Sequence, residues 1–167
     1  ATCLRPRSLF AESENIVLTA RKRAETATIT MQNLRGNVSA LLGSGGNIGV
    51  LSGKDGKLII DSGYSPSRGR ITEVLARLSP EPVKHLVNTH WHFDHTDGNE
   101  WLNSEGAAIM AHPNTLKHLE AATRVDDWNF DFPPSPKGAL PTRLMKGDEE
   151  TLKLDGKTIK LRYYGPA

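Results

Sequence analysis

Short alternating apolar segments follow one another between residues 26 and 63. Such alternation is typical of strands, because every second side chain of a strand points to the same face of a sheet. An Asp-Gly pair at Asp55 and Gly56 lies between the last two segments and favours a hairpin. We therefore predict antiparallel strands in four segments: TITMQNL, VSALLG, IGVLSG and KLIIDSG.

Beyond this region the apolar period lengthens to that of a helix. In SRGRITEVLARLSP one helical face is apolar and a proline follows it; the residues are Ile71, Val74, Leu75, Leu78 and Pro80. We further predict strands in PVKHLVNT and AAIMAH, helices in GNEWLNSEG and PNTLKHLEAATR, and a last hairpin in ETLKLDGKTIKLRYYG. The proline-rich FDFPPSPKGALP is predicted to be an irregular, ordered loop. Strands followed by alternating helices and strands indicate a layered α/β domain.

The length of 167 residues fits one domain with a core of its own. We predict that residues 1–25 form an irregular N-terminal arm, because they are charged and show no apolar period. The folded part is predicted to cover residues 26–167. The basic run TARKRAE is interpreted as an exposed face of the arm.

Composition excludes few classes of protein. The formal charge of +2 is near neutral and gives no sign of a nucleic-acid partner. The single cysteine, Cys3, excludes an intrachain disulfide and a zinc cluster built from cysteines. No apolar run approaches the length of a membrane span. The chain begins with Ala, so the compartment stays open: periplasmic or secreted if a leader is removed, and otherwise cytoplasmic.

Half of the chain's six histidines lie in one short segment, NTHWHFDHTDGN. In an extended segment His90, His92 and Asp94 point to one side, whereas His95 joins them only if the chain turns there. The segment follows a predicted buried strand, a usual position for binding residues. Burying several unpaired ionisable groups together is costly, so the cluster predicts a metal site. Imidazole and carboxylate suit zinc, with iron or manganese also open.

Two motifs together resemble a known family. HWHFDH is similar to the H-x-H-x-D-H signature of the metallo-β-lactamase superfamily of metallo-hydrolases. LIIDSG resembles the family's upstream aspartate motif at a strand end, with a helix and a strand between the two motifs. The resemblance runs from residue 38 to the end. It implies an αββα sandwich, of which this chain would carry the N-terminal half.

The resemblance also implies roles for the clustered side chains. His90 and His92 would bind one metal ion, and Asp94 and His95 a second. Asp61 would brace the ligand loop from behind, as carboxylates around metal sites commonly do. With two zinc ions the implied reaction is attack by a metal-bound hydroxide on an ester, thioester, amide or β-lactam bond, or on a phosphoester, of a small-molecule substrate. Asp94 would act as the catalytic residue that orients the nucleophile or carries a proton.

The family pattern requires a third His, a bridging Asp and a last His further along. None of these is found before Ala167, and neither His112 nor His118 is in a matching position. Two zinc-binding histidines alone would hold an ion weakly. Three explanations stay open: a longer parent chain, a second fragment that supplies the rest, or a homodimer that covers the open sheet face. The alternative to an enzyme is a non-catalytic fragment or assembly protein.

Other features receive ordinary structural interpretations. Trp91 and Phe93 alternate with the ligand positions and are expected to pack away from them. GSGGN, residues 43–47, is read as a flexible loop of a kind that often overhangs the active site in this fold. The histidines outside the ligand cluster are expected to be structural: His85, His112 and His118.

Overall fold

The computed structural model describes residues 15–165 of the chain. Most of the predicted N-terminal arm, including Cys3, lies outside these residues. No helix among the described residues combines the length and apolarity needed to cross a membrane.

Eleven strands and five α-helices are found in residues 15–165. The strands are β1 (Thr30–Arg35), β2 (Val38–Leu42), β3 (Ile48–Gly53), β4 (Gly56–Ile60), β5 (Val83–Val87), β6 (Ala108–Ala111), β7 (Thr123–Val125), β8 (Phe130–Phe132), β9 (Arg143–Leu144), β10 (Glu149–Leu154) and β11 (Lys157–Arg162). The helices are α1 (Ile16–Ala24), α2 (Arg68–Leu78), α3 (Phe93–Thr96), α4 (Asn99–Ser104) and α5 (Pro113–Glu120).

Seven strands form one sheet in the order β1-β2-β3-β4-β5-β6-β9. The first four pair antiparallel, as predicted, and the chain turns between β3 and β4 at the Asp-Gly pair. From β4 onward the strands are parallel, so β4, β5 and β6 end at the same edge of the sheet. This edge carries the residues of the ligand segment, because β5 runs directly into it.

The two faces of the sheet pack against different layers. One face buries α2 and α4, with Ile71 and Leu102 packed against the centre of the sheet. The other face meets the β10-β11 hairpin, with Leu154 among the buried side chains. The layered α/β arrangement predicted from the sequence is confirmed. A segment of the chain itself therefore buries Leu51, Leu58, Val87 and Met110 on this face, where an open sheet face was expected.

The described part of the N-terminal arm is helical, so the prediction of an irregular segment for residues 1–25 is wrong from residue 16 to 24. The Asn15 side chain accepts hydrogen bonds from the backbone of Val17 and Leu18 and so caps α1. Val17 and Ala24 are buried, and the basic residues of the last turn suit the helix dipole. With so narrow an apolar face, the helix gives little periodic signal. The domain boundary at residue 26 stays a prediction.

A second difference concerns the proline-rich segment. Phe130–Phe132 forms β8 and pairs antiparallel with β7, where an irregular loop was predicted. The preceding helix α5 ends at Glu120, four residues earlier than the predicted segment. The three-residue strand is too short for alternation to stand out before the prolines that follow it.

Candidate metal centre

The ligand segment contains the turn that the sequence requires. His92 is still extended, and the chain then enters the single helical turn α3. The backbone N–H of His95 donates to the His92 carbonyl at 3.0 Å, which closes this turn. As a result, the His90 ring lies 4.6 Å from that of His92 and 4.2 Å from that of His95, between ring centroids. The structure thus places the His90 ring against both of the other two predicted histidines.

Asp61 supports this segment from the end of β4. It is buried, and its carboxylate accepts hydrogen bonds from the backbone N–H and the hydroxyl of Thr89, at 2.8 and 2.7 Å. The same carboxylate lies 2.7 Å from His95 Nδ1. A carboxylate on one ring nitrogen fixes the orientation of the ring and leaves the other nitrogen for a ligand. His95 Nε2 accordingly faces Asp94, 3.4 Å from its Oδ2.

The charges of the three histidines differ in the metal-free chain. Hydrogen bonds to Asp61 and then to Asp94 raise the pKa of His95 to about 9. Burial lowers the pKa of His90 and that of His92, so both rings are neutral near pH 7. Burial alone would raise the pKa of Asp94, but the hydrogen bond and the charge of His95 outweigh it and lower this pKa. Neutral imidazoles beside an ionised carboxylate are suitable metal donors.

A buried polar network holds the segment at both ends. Asn88, at the end of β5, exchanges two side-chain hydrogen bonds with Asn99, at 3.0 and 2.9 Å. Ser62 donates its backbone N–H to the His95 carbonyl at 2.8 Å. Asn99 is fully buried and also donates to the Ala139 carbonyl at 3.0 Å. Sequence reasoning missed these supports, because polar residues in a loop-like stretch give no signal of burial.

The glycine loop at residues 43–47 presses directly on the ligand segment. The Gly46 N–H donates to the Asp94 carbonyl at 2.9 Å. A Cβ added at Gly45 would come within 2.5 Å of that carbonyl oxygen, and one at Gly46 would overlap the His95 ring. The loop therefore lies against the site, and its glycines permit an approach that side chains would block.

Aromatic side chains surround the ligand segment on its outer side. Trp91 stacks on His118 with ring centroids 5.0 Å apart and lies edge-on to Phe132. Phe93 packs on Phe132 at 5.4 Å. Trp128 meets the His92 ring at 5.2 Å. Phe93 packs on β8 as expected. Trp91 also packs, but its ring meets that of His92 at 4.8 Å, so the expectation that it faces away from the ligand positions is wrong.

A cleft of about 720 Å³ opens beside the segment. Its lining includes residues of α5 and of the stretch from β11 to Gly165, together with His90 and Trp91. His112 and His118 both border this cleft, whereas His85 lies within β5. Pockets of this size commonly hold small molecules.

The donors fit a divalent metal ion in kind, since imidazole and carboxylate are its usual ligands, and His95 would release its proton on binding. In their present arrangement, no three His, Cys, Asp or Glu side chains among residues 15–165 form a group that could hold one ion. Ligation by the four predicted residues and the role of Asp61 therefore stay predictions.

The sequence profile of the metallo-beta-lactamase superfamily matches residues 41–160. A curated relative, the 2,4-dinitroanisole O-demethylase subunit alpha of Nocardioides sp. (strain JS1661), is 26% identical over 142 residues, which cover 83% of this chain and 40% of the relative.

Solved structures show the same fold. A subclass B3 metallo-beta-lactamase from a soil metagenome library superposes with a TM-score of 0.66 at 21% identity, over 83% of this chain and 54% of the other. The subclass B3 enzyme BJP-1 of Bradyrhizobium japonicum gives a TM-score of 0.63 at 24% identity, over 82% of this chain and 52% of that one. The chain thus spans about half the length of these structures. The predicted fold class is confirmed, and the profile match over most of the sequence shows that the chain belongs to the metallo-beta-lactamase superfamily.

Proposed function

We propose that this chain carries part of the metal centre of a hydrolase. The main support is the cluster of three imidazole rings after β5, in a sheet of the metallo-beta-lactamase type. The His90 ring lies 4.2 Å from that of His95 and 4.6 Å from that of His92. The proposed zinc ligands are His90, His92, Asp94 and His95. Zinc is preferred over iron and manganese because superfamily members of this donor type commonly use it and no feature of the described residues requires a redox metal.

In the proposed centre His90 and His92 hold one ion, and Asp94 and His95 help to hold a second. Further donors come from outside residues 15–165. A bound zinc ion supplies a Lewis acid that polarises a carbonyl oxygen and lowers the pKa of water. Asp61 keeps His95 Nδ1 occupied, so that Nε2 is presented to the centre. The Asp94 carboxylate would orient the attacking water, or take a proton from it and pass that proton to the leaving group.

The proposed substrate is a small molecule with an ester, thioester, amide or β-lactam bond. Two of the solved neighbours are named as subclass B3 beta-lactamases, which favours an acyl compound. The name of the curated relative favours a second candidate, cleavage of an aryl methyl ether. The aromatic side chains around His92 are compatible with an aromatic substrate in either case.

A different class of function is a non-catalytic subunit that completes its site with another chain. The curated relative is named as a subunit, which favours a partner. The partner would then be a further segment, a second chain or a second copy of this one, and it would supply the remaining ligands.

Zinc-loaded protein should be assayed with nitrocefin, a thioester and an aryl methyl ether. The hydrolase proposal is supported if one of these substrates is turned over in a zinc-dependent way. This turnover should be lost in His92→Ala and retained in His85→Ala. His85 is a suitable control because it lies in β5 outside the ligand segment. Zinc binding without turnover of any of the three substrates would favour the non-catalytic alternative.

A further inference from the structure

The His92 ring is held differently from the other two histidine rings of the ligand segment. His90 Nδ1 lies 2.9 Å from the Thr89 hydroxyl, and His95 Nδ1 lies 2.7 Å from the Asp61 carboxylate. In the described part of the chain, the ring nitrogens of His92 have no hydrogen-bond partner. Metal-binding histidines almost always have such a partner, which fixes the orientation of the ring. A contact of another kind must therefore orient His92.

Two indole rings flank His92. The Trp91 ring centroid lies 4.8 Å from that of His92 at an interplanar angle of 77°, and the Trp128 centroid lies 5.2 Å away at 61°. Rings at such angles meet edge to face, which stabilises an aromatic pair beyond the area that it buries. Trp91 is the neighbour of His92 in the chain, whereas Trp128 comes from a separate element.

We propose that Trp128 is a positioning residue of the metal centre, because its indole holds the His92 imidazole in one orientation where no hydrogen bond does so. The inference rests on the proposed function only in taking His92 as a metal ligand. Trp128 itself contacts neither a metal ion nor a substrate in this proposal, and it acts through His92.

Trp128 comes from a short hairpin whose turn is restrained. It is the last residue of the single 3-10 turn between β7 and β8, and Asn129 follows it in the left-handed region with φ of +45°. The Arg124 guanidinium donates hydrogen bonds to three side chains around this turn, at 2.8 to 2.9 Å: Asp126, Asn129 and Asp131. Because one side chain restrains the turn at three points, the indole is in place before any metal ion binds, at little further cost in entropy.

Two more contacts fix the hairpin against the rest of the chain. The Trp128 ring lies edge-on to that of Phe93 in α3, with centroids 5.8 Å apart. The Asn15 side-chain amide, at the N-terminus of α1, donates to the Asn129 carbonyl at 3.2 Å. Since α1 precedes residues 41–160, this second contact comes from outside the part of the chain that the superfamily profile matches.

Zinc affinity of the full chain, measured by competition with a chromophoric chelator, tests the proposal. Trp128→Ala should weaken zinc binding about tenfold, the usual cost of removing a group that orients a metal ligand. Trp128→Phe keeps an aromatic ring at this position and should restore the affinity to within about threefold of the wild type. Phe130→Ala is the matched control and should change the affinity little, because Phe130 belongs to the same hairpin but packs on Phe132.

NMR of the metal-free chain gives a second readout that needs no zinc. The nearby indoles shift the ring-proton resonances of His92 by their ring currents. In Trp128→Ala these resonances should move toward those of an exposed histidine. The His95 resonances should keep their positions, because Asp61 holds that ring.

Four results would each overturn the proposal: unchanged zinc affinity in Trp128→Ala, an equal loss in Trp128→Ala and Phe130→Ala, no recovery in Trp128→Phe, or unmoved His92 resonances. If the wild type binds no zinc, the proposed metal centre fails on its own. The NMR readout then decides separately whether Trp128 orients His92.

Discussion

At the scale of single residues, the surroundings of His95 depend on Asp61. Asp61 adopts a left-handed backbone conformation, with φ of +62°, that few residues other than Gly, Asn and Asp tolerate. This conformation at the end of β4 accompanies a carboxylate that contacts both Thr89 and His95. Backbone strain at a buried polar residue commonly marks a functional site.

Asp61→Asn should retain the backbone and remove the charge. In the metal-free protein the pKa of His95, raised to about 9 by Asp61 and Asp94, should fall toward the ordinary range of histidine. NMR titration of the ring protons measures this. Because the pKa is raised, the ion pair stabilises the metal-free fold fully below about pH 6.5, and this contribution is lost as the pH rises through about 9. A His95 pKa unchanged by the substitution would contradict the assigned contact.

Gly46→Ala should displace His95, because the added methyl group overlaps its ring. We expect zinc affinity to fall about tenfold or more, since a ring shifted by a fraction of an ångström loses its donor geometry. The measurement is competition with a chromophoric zinc chelator. Gly69→Ala is the control, because nothing lies within 4 Å of its added Cβ. Equal affinity in the two variants would show that the glycine loop does not constrain the site.

The cluster of ligand residues could be predicted because its members are neighbours in the sequence. HWHFDH and its upstream aspartate form a recognisable pattern, and the required turn at His95 is present. The contacts of Gly46 and Asn99 could not be predicted in the same way. They depend on how separate segments pack, and neither glycine nor asparagine shows from its identity alone which surface it will meet.

At the scale of elements, α1 contacts the segment that follows the ligand residues. Arg21 of α1 forms an ion pair with Asp97, two residues after His95. Asp97 also accepts hydrogen bonds from the backbone and hydroxyl of Ser65, at 2.8 and 2.7 Å. This helix therefore braces the end of the ligand loop rather than serving as a detached arm.

Arg21→Ala should destabilise the chain by about 1 kcal/mol, because the pair is only partly exposed and Asp97 is left without its cation. Urea unfolding followed by circular dichroism measures the change. Lys22→Ala, an exposed basic residue of the same helix, is the control and should change stability little. If the two substitutions have the same effect, α1 does not act through Asp97.

The elements with a long apolar pattern or a strong turn signal were predicted. Examples are α2, whose buried face contains Ile71 and Leu75, and the hairpins with Asp-Gly turns. α1 and β8 were missed for different reasons. α1 buries a narrow stripe on a basic helix, and β8 is three residues long and stabilised by aromatic contacts that only the folded chain reveals.

At the scale of the whole molecule, the sheet is covered by helices on one face and partly by the β10-β11 hairpin on the other. The layered arrangement follows from the alternation of element types and was predictable. The extent of the second layer was not predictable, because the apolar pattern of β10 and β11 does not indicate which face of the sheet the hairpin packs against.

Zinc content tests whether residues 88–99 bind a metal ion. Wild-type protein, His92→Ala and His85→Ala should be dialysed against micromolar zinc and analysed by mass spectrometry for metal per chain. We expect about one ion per chain in the wild type and in His85→Ala, fewer than the two of a completed centre. We expect a clear loss in His92→Ala, since removal of one donor weakens a site of few ligands. Equal zinc content in all three proteins, or no zinc above the buffer blank, would contradict the account.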